Sequence, residues 1–229
     1  MNGVDYVVHA AATKIVPTAE TNPFECIKTN INGSMNIINA SISNNVKKVI
    51  ALSTDKACNP VNLYGATKLA ADKLFISGNL KINKVKTKFS IVRYGNVLGS
   101  RGSVVPFFES IAKRSKKIPI TDLRMTRFIV SLKECVQFVW MAFDKMYGGE
   151  IFVKKIPSIK ILEIANAISE KKNNYRLIGI RSGEKLHEEM ISVDDAVFTF
   201  DFKSFYKILP SILDRKAFKA MSKNGKKVR

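Results

Sequence analysis

The stretch ALSTDKACNPVNLYGATK, residues 51–68, places a carboxylate, two amines and a phenol close together: Asp55, Lys56, Lys68 and Tyr64. Tyr64 and Lys68 are four residues apart, so on a helix they share a face one turn apart. An ammonium at that spacing lowers the pKa of the phenol from its usual value of about 10 and makes Tyr64 a usable base near neutral pH. Asp55 and Lys56 offer a proton donor and, once the lysine is neutral, a base. Lysine gives up its proton more readily on burial or beside another cation. Each signal is weak alone. Tyr-x-x-x-Lys occurs by chance on many surface helices, and an Asp-Lys pair in an exposed loop contributes almost nothing. Their position just past an apolar run ending in Ser53 and Thr54 is what marks them as a proton-transfer site.

Several elements must position these groups. Val4–Ala11 (VDYVVHAA) is a continuous apolar run, as in a strand buried on both faces. From Pro23 to Asn45, Phe24, Ile27, Ile31, Met35, Ile38 and Ile42 recur at helical spacing, with Asn22 as the expected cap. Lys48–Ser53 reads as a second strand, Tyr64–Ser77 as a second helix and Phe89–Val97 as a third strand. Strands alternating with helices predict parallel βαβ units in a doubly wound α/β fold. After about residue 100 the chain is richer in loops and predicts a smaller lobe, interleaved with the last sheet elements. There Ile151–Val153 reads as a strand, and Ser158 is expected to cap a helix carrying Ile161, Ile164 and Ile168. In such sheets ligands sit beyond the carboxyl ends of the strands, which directs attention to HAAATK (9–14), STDK (53–56) and RYGNVLGSR (93–101).

The 229 residues, 46% of them hydrophobic, suit one well-buried domain with a small appendage. No apolar stretch approaches the ~18 residues of a membrane span, no signal peptide is read, and the three cysteines have no metal-site spacing. A cytoplasmic protein without a metal is the expectation. The net charge of +19 raises the question of nucleic acid, but the basic residues at 81–88, 113–117 and in the tail are not interleaved with stacking aromatics. An anionic small substrate fits better than a nucleic-acid or membrane partner.

HAAATK, STDK, YGATK and RYGNVLGSRGSVVPFF resemble the extended short-chain dehydrogenase/reductase family. PITDLRMTRF (119–128), GEIFVKKIPSIK (149–160) and GIRSGEKLHEEMIS (179–192) add a resemblance to its UDP-N-acetylglucosamine 4,6-dehydratases, of the inverting branch that opens pseudaminic acid biosynthesis. The likeness runs from about Val4 to about Asp195. It implies an NAD(P)-binding Rossmann-like sheet over residues 1–100 and a mostly substrate-binding lobe over 101–229. It also implies NADP, or NAD, as cofactor, a UDP-sugar substrate and a homo-oligomer. By the same resemblance Tyr64 deprotonates the C4 hydroxyl, Lys68 holds the nicotinamide ribose, and Thr54 hydrogen-bonds that hydroxyl. Lys56 becomes the C5 base and Asp55 the C6 proton donor, with sharing of the two roles left open. Ala10, Ala11, Leu52, Ser53 and Val97 would line the cofactor. Lys14, Asn96, Arg101, Val104, Thr121 and Arg181 would meet the substrate, and His187 would be structural.

In one respect the chain departs from that pattern: its twelve glycines never form G-x-G-x-x-G, the loop that seats a cofactor diphosphate on a helix N-terminus. Its first strand corresponds to the family's fourth. At about 25 residues per strand–helix unit, some 75 residues are expected to be missing from the front, and the tail NGKKVR also stops short. VDYVVHAA is then an apolar edge, expected to drive self-association, and NADP binding is expected to be weak. Two other readings stand beside the dehydratase. A nucleotide-sugar 4-epimerase needs the Tyr–Lys pair but not Asp55-Lys56, and a non-catalytic remnant would serve only in binding or assembly. The retaining dehydratases carry Met where Tyr64 stands.

Overall fold

Four of the apolar runs lie side by side as parallel strands. A computed structural model of the protein describes residues 1–80, 86–114, 116–169, 174–211 and 215–228. Parts of the basic stretches at 81–88 and 113–117 and of the tail lie outside the described residues. Tyr6–His9, Lys48–Thr54, Lys88–Tyr94 and Ile151–Lys154 are adjacent in that order, with Ser53 opposite Arg93 and Ile91 opposite Ile151. Phe205–Ile208, Thr199–Asp201 and Lys226–Lys227 extend the sheet antiparallel to seven strands.

Period-two alternation sends successive residues to opposite faces. Val49, Ala51, Phe89, Ile91 and Val153 pack with Ile38 and Phe75 from the helices Gly33–Ser43 and Leu63–Gly78. Ile50, Val92 and Phe152, from the same strands, pack with Phe138, Val139, Ala142 and Phe143 of the helix Leu132–Lys145. Helices on both faces of a mainly parallel sheet make this a doubly wound, Rossmann-like α/β fold, as the alternation predicts. Among the described residues no helix is long and apolar enough to cross a membrane.

The chain divides into two discontinuous units. Met1–Tyr94, Val136–Lys155 and Glu189–Arg229 form the first unit, which holds the large sheet; Gly95–Cys135 and Ile156–Glu188 form the second. The second is built from the strands Asn96–Val97, Thr126–Val130 and Ser158–Lys160, the parallel pair Ile118–Ile120 and Tyr175–Leu177, and the helices Val104–Ala112 and Ile161–Ile168. Its core is Phe108, Ile118, Ile120, Met125, Ile161 and Ala165.

Several expectations change in detail. The strand expected over Phe89–Val97 ends at Tyr94, and Asn96–Val97 pairs with Thr126–Val130 instead. Gly95 makes the break: a Cβ there would lie 2.5 Å from Phe128 Cβ and 2.6 Å from its carbonyl oxygen, so only glycine allows that approach. Ser158 lies in a strand and caps nothing; Lys160 is the N-cap of Ile161–Ile168 and makes no side-chain cap bond. Asn22 likewise makes no side-chain cap bond to the helix at Pro23.

That helix departs furthest from expectation. Its regular segments Pro23–Ile27 and Gly33–Ser43 flank a π-helical turn, Lys28–Asn32. Phe24 is 78% exposed, and Ile27 and Met35 are also exposed, whereas Cys26, Asn30, Ser34, Ile38 and Ser41 are buried. Half of the apolar stripe read from the sequence thus lies on the outer face, while Ile38 is buried and Ile42 packs against the same core. The inner face is small and polar because it is hydrogen-bonded, as the candidate site makes clear.

Candidate active site

The strand Lys48–Thr54 delivers Thr54 into a single 3-10 turn, Asp55–Ala57. Thr54 Oγ1 accepts from the backbone N–H of Lys56 at 3.3 Å and donates to Asp55 Oδ1 at 2.9 Å. Lys56 Nζ donates to the same Oδ1 at 3.1 Å. The Asp55 side chain is fully buried and its Oδ2 has no hydrogen-bond partner among the described residues, while the Lys56 side chain is 19% exposed. Lys56 therefore faces outward with Asp55 closed in behind it.

Tyr64 enters from the helix Leu63–Gly78. Asn62 caps this helix by accepting from Gly65 N–H at 2.8 Å, and Glu20 Oε1 accepts from Leu63 N–H at 2.7 Å. Gly65, the third residue after the cap, is decisive for the approach: a Cβ there would fall 2.3 Å from the carbonyl oxygen of Lys56. Glycine at this position lets the helix start press against the Asp55-Lys56 turn, which sets Tyr64 beside it.

Lys68, one turn on, is buried and donates from Nζ to the carbonyl of Leu52 at 2.7 Å. Burial holds the Lys68 ammonium below its ordinary pKa, with the nearby Asp72 carboxylate opposing that shift. Burial also raises the Tyr64 phenol well above its usual value; a hydrogen bond with Thr54 pulls it down, and the charges of Asp55 and Asp72 add to the rise. The depression expected from Tyr-x-x-x-Lys is thus reversed here, because desolvation outweighs an ammonium committed to Leu52. Tyr64 is held as the neutral phenol.

The loop after Tyr6–His9 is tied to the same helix. Thr13 N–H donates to Asn30 Oδ1 at 2.8 Å, and Asn30 Nδ2 donates to Thr13 O at 3.0 Å and to Thr67 Oγ1 at 2.9 Å. Thr67 Oγ1 in turn donates to the carbonyl of Tyr64 at 2.8 Å. Beneath, His9 Nε2 lies 3.4 Å from Ser34 Oγ, and Ser34 donates to Asn30 O at 2.6 Å. Asn30 thus fixes the loop carrying Ala10, Ala11 and Lys14 to the Tyr64–Lys68 helix. All three are exposed at the strand end.

The comparisons with known proteins bear on this arrangement. Residues 1–210 match the family described as "Polysaccharide biosynthesis protein". The chain belongs to that family. Over 235 aligned residues it is 57% identical to a Campylobacter jejuni protein named UDP-N-acetylglucosamine 4,6-dehydratase (inverting), covering all of this chain and 70% of that relative. A UDP-glucose 4-epimerase of Rickettsia akari is 44% identical, over 91% of this chain and 62% of its own. The X-ray structure of Pen from Bacillus thuringiensis superposes with a TM-score of 0.88 at 37% identity, covering all of this chain and 68% of that one. Solved structures below a quarter identity share the fold, among them proteins crystallised with NAD and a nucleotide or nucleotide sugar.

For a nicotinamide cofactor, the family member in hand fits at one end. Ala10 and Ala11 are small and exposed, and the buried Lys68 has donors beyond the one it gives to Leu52, the set a ribose and nicotinamide require. No G-x-G-x-x-G is present to seat the diphosphate. Ser53 does not face outward: it is buried and donates to Asp72 Oδ2 at 2.7 Å.

Of the residues expected at the cofactor and substrate, Val97, Asn96, Arg101, Val104, Thr121 and Arg181 belong to the second unit. Val97 pairs with Val130, and Asn96 Oδ1 is buried without a hydrogen-bond partner among the described residues. Arg101 is exposed in a loop; Val104, half-buried, opens the helix Val104–Ala112. Thr121 follows Ile118–Ile120 and is half-buried. Arg181 forms an ion pair with Glu184, which raises its pKa. His187 Nδ1 lies 2.7 Å from Thr126 Oγ1. Gly65, Asn30 and Asp72 were not legible as site residues. Only the glycine directly after Tyr64 carried a local signal.

Proposed function

We propose that this chain carries the catalytic centre of an inverting UDP-N-acetylglucosamine 4,6-dehydratase, with NADP in preference to NAD as its cofactor. The observation that carries the reading is the Asp55–Lys56 pair, 3.1 Å from Oδ1 to Nζ, held by Gly65 against the turn of helix that bears Tyr64 and Lys68. The 57% identity to a protein of that name supports it.

Removing water across C5 and C6 of a sugar first requires a ketone at C4, which acidifies the C5 proton. Tyr64 Oη first gives up its phenolic proton to solvent, the Lys68 ammonium stabilising the phenolate; the phenolate then takes the proton of the C4 hydroxyl, which Thr54 Oγ1 orders. A bound nicotinamide, its ribose held by Lys68, would supply the acceptor for the C4 hydride and the donor that restores it at C6. Lys56 Nζ, having passed its own proton to Asp55 across their 3.1 Å contact, takes the C5 proton; the electron pair forms the C5–C6 double bond as the C6–oxygen bond breaks. Asp55 delivers the proton with which that oxygen leaves as water. Because Asp55 is closed in, this step requires that substrate draw Lys56 or Thr54 off Oδ1. Reprotonation of C5 from the opposite face gives the inverted 4-keto-6-deoxy sugar. The reading includes Lys14, Asn96, Arg101, Val104, Thr121 and Arg181 as substrate contacts. It also includes a cytoplasmic homo-oligomer, in keeping with three reduced, buried cysteines and the exposed Phe24, Ile27 and Met35.

A 4-epimerase reading draws on the Rickettsia akari relative, but that chemistry gives Asp55 and Lys56 no task. Incubation with UDP-N-acetylglucosamine and NADP in deuterated water separates the two. The dehydratase yields a 4-keto-6-deoxy product carrying solvent deuterium at C5, whereas C4 epimers formed without loss of water overturn the reading.

A further inference from the structure

One buried carboxylate in the first unit has no task in that chemistry. Asp72 is 2% exposed on the helix Leu63–Gly78, one turn beyond Lys68 and two beyond Tyr64. Its Oδ2 accepts from Ser53 Oγ at 2.7 Å and from Arg93 Nη2 at 3.3 Å. Ser53 and Arg93 are themselves opposite each other on neighbouring parallel strands, and Ser53 immediately precedes Thr54, Asp55 and Lys56. Arg93, 1% exposed, uses Nη1 to hold the carbonyl of Met190 at 3.0 Å and lies 3.6 Å from Asp195.

We propose that Asp72 is a positioning residue of this site: its carboxylate clasps the catalytic helix to the strand that presents Thr54, Asp55 and Lys56, and serves as shared counter-ion to Lys68 and Arg93. Two cations this deeply buried are costly unless an anion accompanies them. Asp72 is the buried carboxylate that reaches both, by direct contact with Arg93 and across one helical turn from Lys68. The other charged or titratable groups facing the cluster are Tyr64 on the same helix, His9 at the end of the first strand, Asp55 in the adjoining turn, Tyr94 beside Tyr64, and Asp195 on Arg93. Asp72 opposes the loss of the Lys68 proton that burial favours, so its charge keeps Lys68 an ammonium over a wider range of pH.

The catalytic half of this inference rests on the dehydratase reading; the electrostatic half does not. The test therefore uses Asp72→Asn in the full chain with two readouts. NMR titration of labelled lysine, with Lys68→Arg to assign the signal, is expected to move the Lys68 midpoint to lower pH. Steady-state dehydration is expected to show kcat lowered about ten- to a hundredfold with KM changed less than about twofold, and the alkaline limb of the profile shifted downward with Lys68. Ser53→Ala, a change too small to threaten folding, removes the 2.7 Å clasp and leaves the charge. It is expected to lower kcat while the Lys68 midpoint stays near its starting value. A Lys68 midpoint unmoved by Asp72→Asn, or wild-type kcat in Ser53→Ala, overturns the proposal and reduces Asp72 to an ordinary structural ion pair. If no dehydration is seen even in the unaltered protein, the dehydratase reading fails while the titration still decides the role of Asp72.

Discussion

Gly65→Ala is a small perturbation that pits two known effects against each other. Alanine in place of glycine in a helix is worth up to ~1 kcal/mol of stability, less in a first turn, where Gly65 sits. Against this, the new Cβ would lie 2.3 Å from Lys56 O, 3.0 Å from Pro60 Cβ and 3.2 Å from Lys56 C. Two of these three neighbours are backbone atoms, so no side chain can swing away. Restoring ordinary contact requires the helix start and the turn to part by about 1 Å, and overpacking of this kind costs ~1–3 kcal/mol. The net loss in stability is therefore modest, about 0–2 kcal/mol. Activity is expected to suffer more. The displaced atoms are the backbone of Lys56 and the residue after Tyr64, and a misplacement of about 1 Å costs on the order of 10²-fold in rate. Denaturant unfolding gives the first quantity, and the rate of C5 deuterium incorporation the second. A variant more stable than the starting protein, with its exchange rate intact, would refute the close approach at Gly65 as what sets the site.

The remaining expectations are briefer. Lys56→Ala should abolish C5 exchange while leaving nucleotide-sugar binding by calorimetry intact, and Tyr64→Phe should prevent transient cofactor reduction; retention of more than about a tenth of turnover by Lys56→Ala removes it as the base, since general-base catalysis contributes ~10²–10⁴-fold. Tyr6–His9 pairs on one side only among the described residues, with Tyr6 52% and Val8 46% exposed, so the protein should self-associate and Val8→Lys should lower its light-scattering mass. Lys207 is buried among Phe152, Phe202 and Tyr147, and burial holds its pKa below the ordinary value. The unfolded chain then keeps the Lys207 proton at pH values where the folded chain has released it, so this residue's contribution raises stability with pH from its lowered folded pKa up to about 10.4. Lys207→Met should be more stable than the starting protein near pH 7, with the gap narrowing toward pH 10; a gap that does not change with pH contradicts the assignment.

What could be read in the sequence was what local pattern records. Strands buried on both faces write continuous apolar runs, so KVIALS and KFSIVRY were legible, and so was the alternation that implies a doubly wound sheet; VDYVVHAA was legible as a strand, but Tyr6 and Val8 are exposed, so it is not buried on both faces as its apolar run implied. Asp55, Lys56, Tyr64 and Lys68 were legible because all four lie within one strand–turn–helix passage. Asp72 lies on the same helix, yet its meaning depends on Arg93, 21 residues away, and on Ser53. An acidic residue in a helix reads as surface until the partner strand is in place. The discontinuous second unit was blurred for a related reason: Gly95 breaks the third strand only because Phe128 lies against it.

The helix beginning at Pro23 shows where hydrophobic periodicity misleads. Apolar spacing assigned Phe24, Ile27 and Met35 to the core, yet all three are exposed, while Asn30, Ser34 and Ser41 face inward. Burying polar groups is unfavourable unless each finds a partner, and here they do: Asn30 takes both backbone groups of Thr13 together with Thr67, and Ser34 takes Asn30 O beside His9. The requirement met is a backbone one. Among the described residues the loop carrying Ala10 and Ala11 has no ladder partner at Thr13, and a side-chain amide with one acceptor and two donors is the group that satisfies an N–H and a carbonyl together. The π-turn Lys28–Asn32 has Asn30 at its centre, so the added residue in the helical turn coincides with the side chain that makes those bonds. The polar inner face is thus a consequence of holding a strand-end loop on the Tyr64–Lys68 helix, and it leaves the apolar side chains of Phe24, Ile27 and Met35 on the outside.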